Sequence, residues 1–159
     1  MERLWTPWRM QYIAADKSEG CIFCAAVAQQ NDRETLILHR GQHAFVMLNK
    51  YPYNNGHLLV VPYAHISDLS ALNAEAQSEL MSLLAQGVEW LKRASHPEGF
   101  NAGLNLGKAG GAGVTEHLHF HVVPRWAGDT NFMTITGEAR VLPEWLDETW
   151  SRLRAVIDP

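Results

Sequence analysis

His117-Leu118-His119-Phe120-His121-Val122-Val123-Pro124-Arg125 decides what fold this chain adopts and what chemistry it carries. Side chains alternate across a β-strand, so His117, His119 and His121 share one face while Leu118, Phe120 and Val122 point into a core. Successive histidine Cα atoms then lie about 7 Å apart, near enough for neighbouring rings to reach one phosphate group or one metal ion. A half-exposed strand with a chance histidine face is the plainer alternative, but this strand is entered from Gly107-Lys108-Ala109-Gly110-Gly111-Ala112-Gly113. Glycines let backbone amides approach an anion closely, and Lys108 adds positive charge. Neutral imidazole is a nucleophile near physiological pH, and a second histidine can polarise the phosphate or protonate a leaving group. The combination points to chemistry at phosphorus.

Outward from this strand the periodicity changes several times. Residues 35–39 and 43–48, rich in Ile, Val, Leu and Phe and separated by Arg40-Gly41-Gln42, predict a β-hairpin. After a turn over 50–56, residues 57–61 predict a buried strand that Pro62 closes. From Asn73, a plausible N-cap, Leu80, Leu84, Val88 and Leu91 recur every three or four residues and predict a long amphipathic helix ending before Pro97. Residues 100–106 return to strand character. Pro143 suits a first helical turn, and Leu146, Trp150, Leu153 and Ile157 share one face of a helix over about 143–157. The expected fold is α+β: an antiparallel sheet of about five strands with one long helix and a C-terminal helix. The 159 residues fit one domain, residues 1–159, with its core at about 21–125.

Composition narrows the class. At 47% hydrophobic and 19% charged the chain reads as globular, and a net charge of -4 argues against broad nucleic-acid binding while leaving room for a local phosphate pocket. The segment Met1-Glu2-Arg3-Leu4-Trp5-Thr6-Pro7 lacks a basic run followed by an apolar one, and no apolar run approaches a membrane span. The expected location is cytoplasmic. In a reducing compartment Cys21 and Cys24, separated by Ile22-Phe23, suit a metal clip or a redox motif better than a disulfide. No thioredoxin-like βαβ pattern surrounds them, and their spacing is that of half a tetrahedral zinc site.

The segment 117–123 resembles the histidine triad (HIT) superfamily signature, His-φ-His-φ-His-φ-φ with φ apolar, at every position. The likeness extends to Gly56-His57-Leu58-Leu59-Val60-Val61-Pro62 and to Leu48-Asn49. It implies that His119 is the nucleophile, forming a nucleotidyl-histidine intermediate, that His121 contacts the phosphate, and that Asn49 bonds the ribose. The Cys-Ile-Phe-Cys segment resembles zinc-bearing members, which implies structural zinc held by Cys21, Cys24, His65 and His117. Segments 3–10, 48–54 and 116–132 resemble the bacterial branch that phosphorolyses diadenosine tetraphosphate. Where most members have a Gln-Ser-Val-like tripeptide before the triad, this chain has Gly113-Val114-Thr115-Glu116, which leaves Asn105, Lys108, Gly111, Gly113 and Thr115 as phosphate contacts. Glutamine is usual at the third triad position of the galactose-1-phosphate uridylyltransferase branch, and His121 disfavours that branch.

The expected activity is therefore cleavage of a dinucleoside polyphosphate or related adenine nucleotide at the α-phosphate, with phosphorolysis of diadenosine tetraphosphate to ADP and ATP preferred. Inorganic phosphate, aided by Lys108 and Arg125, is the expected acceptor. The alternatives are a nucleoside phosphoramidase or hydrolase and a non-catalytic purine-nucleotide-binding module. Family resemblance also implies a homodimer through the long helix and a sheet edge. His57 either braces the triad or is a satisfied core histidine. His39, His43 and His96 lie near turns and are expected to be solvated. Trp5, Trp8 and Trp126 suit base stacking, packing or an interface equally.

Overall fold

Leu118, Phe120 and Val122 are buried together in the computed structural model, which describes residues 20–129 and 143–158. Trp5, Trp8, the rest of segment 3–10 and Phe132 lie outside the described residues. The alternation expected around the triad is present, but the hydrogen-bonded strand begins only at Phe120. His117 and His119 precede it, because Leu118 donates its N–H to Ile66 O (2.6 Å), a loop carbonyl, instead of to a neighbouring strand.

Five strands, β1 (Ile37–Arg40), β2 (Ala44–Leu48), β3 (Leu58–Pro62), β4 (Gly99–Leu104) and β5 (Phe120–Arg125), form one antiparallel sheet in the order β1-β2-β3-β5-β4. The helices are α1 (Ile22–Ala28), α2 (Asp32–Thr35), α3 (Ala74–Ser95) and α4 (Leu146–Ile157), with a 3-10 turn at Leu69–Ala71. The architecture is the α+β sheet with a long and a C-terminal helix that the periodicity predicts. Among the described residues no helix is long and apolar enough to cross a membrane.

The first strand starts two residues later than expected. Asn31 caps α2 by accepting the Glu34 N–H, and Leu36 turns left-handed (φ 63°) to end that helix, so Thr35 is helical. At the hairpin turn the Gln42 and His43 amides both donate to the Glu79 carboxylate of α3, at 2.7 and 2.6 Å. A Cβ at Gly41 would stand 2.1 Å from Glu79 Oε1, so the carboxylate can approach only because position 41 is glycine.

Sheet alternation divides the interior into two layers. Leu38, Val46, Leu48, Leu58, Val60, Phe120 and Val122 meet the apolar stripe of α3, including Leu80, Leu83, Trp90 and Leu91, and Leu153 of α4. Asn73 caps α3 with its side chain, accepting the Ala76 N–H at 2.8 Å. On the opposite face Ile37, Phe45, Met47, Leu59 and Val61 pack with Phe23 and Ala26 of α1. His121 pairs in register with Leu59 and so belongs to that second face.

Pro143 does not begin the last helix. It is exposed, and Glu144 leads into α4 by pairing with Arg152 (2.5 Å) and accepting the Thr149 hydroxyl (2.6 Å). From α4, Trp150 Nε1 donates to Ile37 O (2.9 Å) and Arg154 donates to Leu38 O (2.6 Å), which occupies carbonyls along the outer edge of β1. Among the described residues β4 carries no such cover, and Asn101, Ala102 and Gly103 on it are exposed.

Candidate active site and metal centre

Tautomers at the triad follow from backbone partners whose roles are not negotiable, since a carbonyl only accepts and an amide N–H only donates. His119 Nδ1 lies 2.8 Å from His117 O and must carry the proton, which leaves the lone pair of a neutral ring on Nε2. His57 Nδ1 accepts the Tyr53 N–H (3.1 Å) and faces Asn49 Nδ2 (3.3 Å), so the proton of neutral His57 is on Nε2. That Nε2–H is 2.9 Å from His121 Nδ1, which must accept, and the proton of neutral His121 is therefore also on Nε2. His121 Nε2 is buried and has no hydrogen-bond partner among the described residues.

Burial keeps these rings neutral. His57, fully buried, is pushed down to about 3 by desolvation and by the neighbouring His121 and His119. Desolvation and His119 take His121 down to about 4. Desolvation also lowers His119, against the opposing pull of its bond to His117 O. The site thus offers one unprotonated nitrogen, on His119, and one donor nitrogen, on His121. Their rings sit edge to face with centroids 5.0 Å apart.

The turn over 49–57 exists to aim His57. Asn49 Oδ1 accepts the Tyr51 N–H (2.9 Å), Asn49 N donates to His57 O (2.8 Å), and Asn54 Nδ2 bonds Pro124 O (3.0 Å). Gly56 adopts φ 78°, and a Cβ there would lie 3.0 Å from Leu91. His57 is thus the brace of the triad, not merely a satisfied core histidine. Tyr53, to which the motif reading gave no role, stacks on the pair with centroids 4.7 Å from His57 and 5.8 Å from His121.

Cys21, Cys24, His65 and His117 come together as expected, with all four ligand atoms within 4.8 Å of one another. Cys21 Sγ is 3.2 Å and Cys24 Sγ 3.7 Å from His117 Nδ1, and Cys24 Sγ is 3.5 Å from His65 Nδ1. A tetrahedral zinc with bonds of about 2.3 Å to sulfur and 2.05 Å to nitrogen requires sulfur–nitrogen edges of about 3.6 Å. The donor set therefore fits. His117 Nε2 donates to Pro62 O (2.8 Å), which turns the Nδ1 lone pair toward the thiols as an outer-sphere partner does for a ligating histidine. Phe23, between the cysteines in sequence, packs its ring 5.3 Å from His117 and 5.1 Å from His119.

Other expected residues fall elsewhere. Asn105, Lys108, Gly111, Gly113 and Thr115 line the loop that runs into His117, with Lys108, Gly111 and Gly113 exposed, and none hydrogen-bonds a triad ring among the described residues. Arg125 is not available to an anion: it pairs with Asp129 at 2.6 and 2.8 Å and with Asn101 at 2.7 Å, at the far end of β5. His39 is half-buried against Trp90 (5.5 Å) and His43 is half-buried, whereas His96 is exposed as expected. Trp126 is half-buried beyond β5.

The HIT domain family pattern matches residues 30–128. The chain is 44% identical to the AP-4-A phosphorylase of Mycobacterium tuberculosis over 94% of its own length and 80% of that protein. It is 30% identical to a HIT-like protein of Saccharolobus solfataricus over 71% of its length and 79% of the relative. Among solved structures, a Zn-bound histidine triad family protein from Mycobacterium smegmatis superposes with a TM-score of 0.69 at 25% identity, covering 87% of this chain and 93% of the other.

Proposed function

This chain belongs to the HIT domain family, and on that footing we propose that it is a nucleotidyl transferase that phosphorolyses diadenosine tetraphosphate to ADP and ATP. The observation that carries this reading is the fixed pair of tautomers, a lone pair on His119 Nε2 beside an N–H on His121 Nε2.

His119 Nε2 attacks the α-phosphorus, an N–P bond forms, the P–O bond to the leaving triphosphate breaks, and ATP departs. The positive charge that develops on the imidazole is stabilised by the Nδ1–H bond to His117 O. His121 donates its Nε2–H to a phosphoryl oxygen. A phosphate oxygen then attacks the same phosphorus, the N–P bond breaks, and ADP leaves with His119 again neutral. Asn49 keeps a second amide proton for the ribose, and the amides of Gly111 and Gly113 with Asn105, Lys108 and Thr115 contact the polyphosphate. Cys21, Cys24, His65 and His117 would hold a zinc ion, which would supply structural cross-linking and not bond making. Two copies joined through α3 and the β4 edge form the assembly, checked by light scattering.

Acceptor choice is supported by the 44% identity to an AP-4-A phosphorylase and not by Arg125. The test is incubation of the protein and diadenosine tetraphosphate with and without labelled phosphate. Label entering ADP is expected; AMP accumulating equally in both, with no labelled ADP, would make the protein a hydrolase.

A further inference from the structure

Tyr53 touches the donor side of the site twice, once through each part of the residue. Its backbone N–H donates to His57 Nδ1 at 3.1 Å and so determines which His57 nitrogen bears the proton. Its ring lies over both rings of the relay, at 37° to His57 and nearly parallel, at 20°, to His121. Tyr53 is itself 41% exposed. A half-exposed aromatic over one buried and one half-buried imidazole is a cover between them and solvent.

We propose that Tyr53 is a positioning residue, whose ring seals the His57–His121 pair from water and thereby keeps His121 accepting from His57 at Nδ1, with its Nε2–H aimed into the site. The proposal rests on the reading of His121 as the phosphate-side donor. Without the cover, water reaches the pair, desolvation no longer disfavours the charged form of His121, and its Nδ1 takes a proton from solvent; the ring keeps its Nε2–H but loses the His57 bond that aims it. The groups facing the pair are Asn49 and Tyr53 from the turn and His119 from the triad segment; no carboxylate, lysine or arginine hydrogen-bonds either ring among the described residues. Desolvation and the neighbouring His119 push His121 down to about 4, so its neutrality depends on exclusion of water. The π face of a phenol favours a cation weakly at a half-exposed position, so the desolvating effect of the ring prevails.

The experiment compares Tyr53→Ala and Tyr53→Phe in the full chain. Histidine ring nitrogens are followed by NMR against pH without nucleotide, and steady-state kinetics are measured with diadenosine tetraphosphate and phosphate. In wild type and Tyr53→Phe, His121 should remain neutral and Nε2-protonated to below pH 5. In Tyr53→Ala it should titrate at least one pH unit higher, with kcat at pH 5 about twofold or more below its value at pH 7 and KM within twofold. Unchanged His121 titration in Tyr53→Ala overturns the proposal, as does a raised KM at unchanged kcat, which would place the ring against nucleotide. Failure of Tyr53→Phe to behave as wild type also overturns it, because the hydroxyl would then be the active part. A wild-type protein that turns over nothing defeats the proposed function, while the NMR titration still decides the role of Tyr53.

Discussion

Loss of the thiol pair should weaken this protein by several kcal/mol, and the structure shows why. α1 is seven residues long, buries only Phe23 and Ala26, and begins at Cys21 without a side-chain cap. A helix that short does not persist alone in water. Ordering its backbone costs about 7 kcal/mol at about 1 kcal/mol per residue, and burying Phe23 returns about 2–3 kcal/mol. The remaining few kcal/mol fall to its internal hydrogen bonds and to the two sulfurs that would tie it, through zinc, to His65 and His117. The metal contribution should lie below the 10 kcal/mol or so of isolated zinc-finger peptides, because His117 is already held by Pro62 O. We expect the Cys21→Ser/Cys24→Ser variant to lose about 3–5 kcal/mol and, at about 2–4 °C per kcal/mol for a chain of this size, to melt about 6–20 °C lower. Elemental analysis should find about one zinc per wild-type chain and none in the variant, calorimetry should show the shift, and hydrogen exchange should report α1 opening first. A metal-free native protein, or an unchanged melting temperature in the variant, would refute the reasoning.

His119→Ala should reduce turnover at least about a thousandfold while nucleotide affinity, measured by calorimetric titration, stays within a small factor, since most pocket contacts come from other residues. Stability should fall in acid. His57 and His121 have folded values of about 3 and 4, below the ordinary 6.5; their contribution is whole above pH 6.5 and declines as pH falls toward 4 by up to about 1.4 kcal/mol per pH unit for each histidine. Urea unfolding at pH 7, 6 and 5 measures that slope, and a flat profile would count against buried neutral rings. Glu144, held down at about 2 chiefly by its bond to Arg152, adds a second loss only below its ordinary 4.5, continuing toward pH 2. Glu79→Ala should cost about 1.5–3 kcal/mol in denaturant unfolding by leaving the Gln42 and His43 amides without their charged acceptor, and Glu79→Gln should cost less.

Periodic features were legible in the sequence because they are local. The α3 stripe and its Asn73 cap, the alternation of Leu118, Phe120 and Val122, and the Cys21/Cys24 spacing each follow from a repeat or a short motif. Contacts between distant segments were not. Glu79 meets the hairpin turn, and Trp150 and Arg154 meet β1, across gaps no pattern announces. Arg125 looked free because its partner Asp129 sits in a turn whose direction the sequence does not reveal. Tyr53 and His57 differ again: both stood in the motif, but their order of proton donation depends on one amide direction in the 49–57 turn.

The sheet has two unlike edges. Trp150 and Arg154 spend their donors on β1 carbonyls, so a foreign strand finds that side already engaged, while β4 presents its backbone openly among the described residues. Were two copies to pair antiparallel through β4, as proposed, each would cover the edge that the other leaves open among the described residues. A chain that recruits its own copy this way counts to two and stops, which separates ordered pairing from fibre formation without any further safeguard.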